Sequence, residues 1–268
     1  MSPQSKVAAV AKIVAHQEVG KYRLPDEIVA AFARRERVAA TVVVEPASET
    51  VASAAVRFVE SVAAGSPVDV LELGRVLHRA DADARAAEMA HRVVQAATDL
   101  AAAELIELVE DRADEIIAGP LREAWSSLLD ESRQAVADLA GYSLENLHAL
   151  LTAPAKVRAA YTTLVELAQR RLTLWEVRRQ VLHAASLAPA LDVQNRFVEF
   201  RTPQAVNGWK LPAPWPGVPA APTDALQRLV WLATSPVAEA ATPWFPTPGE
   251  QDAAAAAIDA NPLQLVTR

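Results

Sequence analysis

Residues 83–118 constrain this chain more than any other stretch, because their apolar residues recur at helical spacing along two stripes. Stepping about 100° per residue, Ala87, Ala90, Val94, Ala97, Ala101, Leu105 and Leu108 fall on one line. Met89, Val93, Ala96 and Leu100 fall on a second line, about 120° round the helix. An element of this length runs on the order of 50 Å, and a helical stretch from Val68 can precede it. A helix with two apolar stripes needs two sets of neighbours. It is therefore either central to its own fold or shared between subunits.

Composition supports a mostly α fold. The chain has 268 residues with 8 glycines and no cysteine, and 51% of it is hydrophobic, much of that alanine. Alanine, leucine, glutamate and arginine favour helix, and small side chains favour close helix–helix approach over a bulky aromatic core. The lack of cysteine excludes disulfides, cysteine-zinc sites, thiol catalysis and thiolate-bound iron–sulfur clusters. No uninterrupted apolar run of about 18 residues points to a membrane span. The first residues, with Lys12 breaking their apolar run, carry no secretory cleavage pattern, so the expected location is cytoplasmic or a particle assembled there.

Charge is unevenly spread. Net charge is +2 over 1–47, −10 over 48–140, +3 over 141–202 and −2 over 203–268, giving −7 in all. An acidic chain is poorly suited to gripping a phosphate backbone, and the arginine pairs at 34–35, 170–171 and 178–179 read as solvated or ion-paired. The basic face around 170–179 is complementary to the acidic stretch 104–115, and Glu166 stands four residues before Arg170.

Local signals divide the chain into an N-terminal helical segment (1–64), a long-helix bundle core (65–188) and an extended Pro/Trp-rich arm with a short helix (189–268). Helix is expected over 4–19, ended by Gly20, and again from Pro25, Asp26 and Glu27, whose types suit a first turn. Thr41–Val44 reads as a short strand or a helix end, and a further helix starts at Ser48 and stops at 64–67. Pro120 kinks or stops the long helix near Gly119, and a new segment carries Leu121, Trp125, Leu128 and Leu129 inward until Gly141. Ser143 is the expected cap of the next helix, and Pro154 opens a long one to about Ser186, with Val157, Tyr161, Leu164, Ala168, Leu172, Trp175 and Leu182 on one face. Twelve of the 18 prolines and four of the six tryptophans lie from Pro189 onward. Residues 197–201 suit a short strand, while the proline-rich stretch at 207–222 suits extended chain. Trp209, Trp215, Trp231 and Trp244 are the expected docking residues of this arm, onto its own bundle or a neighbour.

One pattern suggests chemistry. Glu88-x-x-His91 and Glu145-x-x-His148 match the ligand pairs that di-metal carboxylate bundles draw from two helices, with Glu60 and Glu107 available as further ligands. Against this, His91 lies about 60–80° from the main apolar stripe and Glu88 further out, whereas core ligands point inward. Glu145 also suits a first helical turn without any metal. No nucleophile elbow, phosphate-binding loop, dinucleotide fingerprint or zinc-protease motif is present. The expectation is a protein with no cofactor, no metal and no catalytic site.

The stretch 102–141, and above all "ADEIIAGPLREAW" within it, resembles segments of helical virion structure and assembly proteins of tailed phages of actinobacteria. The resemblance implies a non-catalytic role in the head or neck region, in a virion assembled in the host cytoplasm. Its partners would be copies of itself or other virion proteins, bound through the helices and the C-terminal arm. The competing readings are a ferritin-like di-metal protein and a cytoplasmic regulatory module that binds other proteins.

Overall fold

The computed structural model describes residues 2–44, 51–65, 69–187, 199–201 and 222–260. It is mostly helical, and no strand occurs among the described residues. The chain forms two compact units, one of residues 1–29 with 105–268 and one of residues 30–104. The division falls inside two helices, α3 (Asp26–Ala39) and α5 (Val70–Ile116).

The larger unit is organised around α8 (Ala155–Ala184), which has no glycine or proline in its 30 residues. Pro154 supplies an extended N-cap, and Ser186, at φ 55°, turns the chain out of the helix. Around α8 pack α1 (Pro3–Ala15), α2 (Gln17–Gly20), α6 (Arg122–Asp138), α7 (Leu147–Thr152) and α9 (Ala225–Thr234). Neighbours on so many sides explain why α8 lacks a clear polar face: Val157, Leu164, Leu167, Leu174, Val177, Val181 and Leu182 are all buried. Leu172, expected on the inner face, is exposed.

Sequence signals set the helix ends. Ser2 accepts a hydrogen bond from the Ser5 amide and Pro3 opens α1, whose Val7, Val10 and Ile13 are buried. Lys21, at φ 51°, turns the chain out of α2, and the last residue of that helix is Gly20 because a Cβ there would stand 2.6 Å from the Tyr22 ring. That ring is held by its hydroxyl, which donates to the Ile13 carbonyl, and burial raises the phenol's pKa.

Pro120 does not end the helical path. Residues Ile117–Leu121 form one π-helical turn between α5 and α6, with Ile117 and Leu121 buried. Proline has no amide hydrogen to give, and a wider turn absorbs the missing bond. α6 then runs to Asp138, and Ala140 and Gly141 take positive φ to finish it. Asn146, not Ser143, caps α7: its side chain accepts from the Ala149 amide. Ser143 instead accepts from the amide of Glu145 in the preceding turn.

The C-terminal residues that are described form α9, α10 (Pro236–Ala241) and α11 (Pro248–Ala260). Residues 199–201 lie antiparallel to 242–244, with the Arg201 amide donating to the Thr242 carbonyl and the Trp244 amide to the Glu199 carbonyl. Phe245 carries this segment into the core, 4.6 Å from Trp175 and 5.8 Å from Trp125 between ring centroids. The two indoles meet edge-on at 5.4 Å, so the trio seals α6, α8 and the C-terminal segment together.

In the smaller unit, α4 (Val51–Ala63) precedes the start of α5. α5 is continuous over 47 residues from Val70, so the helical stretch expected ahead of residue 83 belongs to the same element. Its first turn is capped by Asp69, which accepts from the amides of Leu71 and Glu72. Thr41–Val44 is neither helix nor strand.

Candidate functional site

The two Glu-x-x-His pairs differ in local structure. Glu88 and His91 both lie on α5 and are exposed, and Glu88 forms an ion pair with Arg92 at 2.5 Å. Glu145 lies in a turn ahead of α7, whereas His148 lies inside it, so the second pair does not share a helical face. Both residues are exposed. Among the described residues, no three histidine, aspartate or glutamate side chains gather into a group that could hold a metal ion.

The arginines of α8 have a different role from a solvated basic face. Arg170, Arg171 and Arg178 are all buried, each with partners outside α8. Arg170 pairs with Glu131 of α6 at 2.7 Å and donates to the carbonyls of Gly20 and Ala124, so Glu166 is not its partner. Arg171 donates to the Glu199 carboxylate, which Arg228 of α9 grips from the other side. Arg178 donates to the Pro246 carbonyl at 2.9 Å and to Gln251, with its guanidinium 5.7 Å from the Trp175 ring centre. Burial lowers the Arg178 pKa to about 10. From α6, Arg122 adds a bond to the Phe245 carbonyl and an ion pair with Glu250. These contacts fasten residues 199–201 and 242–251 to the bundle by charge-assisted bonds to carbonyls and carboxylates.

The acidic stretch of α5 pairs elsewhere. Glu110 meets Lys6, and Arg112 bridges Glu27 and Glu115 at 3.0 and 2.8 Å.

Of the four tryptophans expected to dock, Trp209 and Trp215 lie outside the described residues. Trp231 is half-buried on α9, edge-on to Phe200 at 5.8 Å. It also lines a surface hollow of about 490 Å³ with Val136, Leu139, Tyr142 and Val230. Trp244 is half-buried beside Phe245 in the chain.

Residues 30–104 carry the most unusual surface. Their buried apolar residues, among those described, are alanines alone: Ala31, Ala54, Ala101 and Ala102. Exposed in the same stretch are Val42, Val44, Val56, Phe58, Val59, Val62, Val70, Leu71, Met89, Val93 and Leu100. The first stripe on α5 is half-covered at Ala87, Ala90, Val94 and Ala97 and buried at Ala101. The second stripe stands in solvent, with Met89, Val93 and Leu100 exposed by 57%, 64% and 63%. Full burial of one such side chain contributes about 1.5–3 kcal/mol, which this unit forgoes at each of these positions.

No protein-family model, no curated protein and no solved structure matches the chain. Among the described residues, no helix is long and apolar enough to cross a membrane.

Proposed function

We propose that this chain is a non-catalytic structural or assembly protein, a component of the head or neck region of a phage virion that binds neighbouring subunits. In this reading its helices are long and kinked at Pro120, and the Pro/Trp-rich residues from 189 onward act as an extended arm with Trp209, Trp215, Trp231 and Trp244 as docking points. The observation that carries the proposal is the surface of residues 30–104, whose buried apolar residues, among those described, are alanines and which exposes eleven larger apolar side chains. Large apolar side chains left in solvent in that number mark an interface with another macromolecule, and a structural role needs no reactive centre. The texture of 102–141 supports the virion setting, and the burial of Arg170, Arg171 and Arg178 against partners in the same chain withdraws them from contact with nucleic acid.

Sedimentation velocity of the full-length protein over a 100-fold concentration range, with metal content read on the same fractions, tests the proposal. The expected result is a metal-free species whose mass exceeds one chain and rises with concentration. A compact monomer holding about two metal ions per chain would overturn it in favour of the di-metal carboxylate reading.

A further inference from the structure

The hollow beside α9 has a chemistry that narrows what can fill it. Its volume is about 490 Å³, and Tyr142, Leu144, Pro222 and Trp231 are among the residues that line it. Tyr142 is exposed and Trp231 half-buried, so two aromatic rings stand open to an occupant. Glu145, also exposed, is the one charged residue in the lining. Grooves lined by aromatic rings take proline-rich chain, which has little conformational freedom left to lose. A single carboxylate adds a preference for one cation in that chain.

One segment of this protein has that composition. Residues 202–221 lie outside the described residues; they hold five prolines, Trp209 and Trp215, and Lys210 is their only charge. The residues that flank the segment are both held beside the hollow by Arg228. Its guanidinium grips the Glu199 carboxylate through Nε and one terminal nitrogen, and donates from the other to the Pro222 carbonyl at 3.2 Å. Phe200 meets Trp231 of the hollow edge-on, and Pro222 is part of the lining. Lys210 is nine residues from Arg201 and twelve from Pro222, which gives it a reach of about 30 Å or more from either end. Other stretches outside the described residues fit less well: 45–50 is acidic, 66–68 is too short, 188–198 is neutral, and 261–268 has no aromatic residue.

We infer that residues 209–216 dock in this hollow of their own chain, with Lys210 against Glu145 and the prolines and tryptophans on Tyr142 and Trp231. The inference rests on the reading of Trp209 and Trp215 as docking residues, and names their surface and the chain that offers it. Tethering at both ends gives the segment an effective concentration on the order of millimolar, far above that of a second copy in dilute solution. The segment of a neighbouring copy therefore enters only by displacing this one, which holds the arm back until copies are crowded together.

The native chain has no cysteine, so introduced thiols report cleanly. Ala213→Cys in the segment and Gln227→Cys in the exposed lining are combined in one full-length chain and treated with a short bismaleimide. Mass spectrometry then separates links within a chain from links between chains. The expected product is a link within one chain. Lys210→Glu or Glu145→Lys alone slows its formation by about 3-fold, within what an exposed ion pair supplies, and the two together restore it. A link within one chain that ignores the charge changes would come from the tether alone and would overturn the docking. Links only between two chains would give the hollow to a second copy, overturning the inference and leaving the assembly reading standing. No link of either kind would overturn the inference as well, with the assembly reading judged separately by sedimentation of the same chain.

Discussion

The sharpest prediction about the fold concerns Glu199. Its side chain is 5% exposed and lies between Arg171, 9% exposed, and Arg228, 26% exposed. Glu199→Gln keeps the shape but removes the charge and turns an amide donor toward guanidinium donors. Arg171 then remains buried without a counter-charge, which costs about 3–5 kcal/mol. Arg228 is more open to water and adds little to that figure. The loss is large beside a typical total stability of about 5–15 kcal/mol. Urea unfolding followed by tryptophan fluorescence reads it directly, because Trp175 and Trp125 sit in the same core as Phe245. The control is the triple variant Arg171→Met, Glu199→Leu, Arg228→Met, which removes all the charges together and returns to within about 2 kcal/mol of the native protein. A loss below about 1 kcal/mol for Glu199→Gln, or a triple variant no more stable than the single one, would refute the reasoning.

Other outcomes follow from the same contacts. Phe245→Ala empties the space between the two indoles and costs about 3–5 kcal/mol in the same urea titration. In acid, Glu176 has its carboxyl lowered to about 2, chiefly by its hydrogen bond from Arg179. Burial opposes ionisation of Glu131, but hydrogen bonds from Arg170 and Ser127 outweigh it and hold its pKa below the ordinary value. Both groups ionise more readily in the folded state, so they stabilise it above the unfolded carboxylate range and lose that contribution as pH falls toward their folded values. Stability measured by urea therefore declines below about pH 4.5, and Glu131→Gln makes the decline shallower. Replacing Glu88 and His91 together by alanine leaves the metal content of the purified protein unchanged, as plasma emission spectrometry would read it.

Helical content and several helix starts were legible because they depend on local chemistry. Pro25 with two acids stands at the start of α3, Pro154 caps α8, and Pro120 disturbs the path between α5 and α6. The cap of α7 was not legible, since Ser143 and Asn146 are both good capping residues and only the observed turn selects Asn146. The burial of Arg171 and Arg178 was also hidden. Helical periodicity places arginine outward by default, and their partners Glu199 and Gln251 lie 28 and 73 residues away. A usable signal was present in α8, where Leu174, Val177, Val181 and Leu182 surround these arginines and leave little of the helix for water. Both apolar stripes of α5 could be read directly. What covers the second could not, because a one-chain pattern does not distinguish a neighbour within the fold from a second copy.

Hydrogen exchange of residues 82–103 in the full-length protein at low and at high concentration tests the central claim most directly. A helix in a unit whose described buried apolar residues are alanines exchanges quickly when alone, and covering its exposed stripe slows exchange. The account predicts protection across Met89, Val93 and Leu100 that grows with concentration, while the amides of α8 are unaffected. Equally fast exchange of 82–103 at every concentration would contradict it.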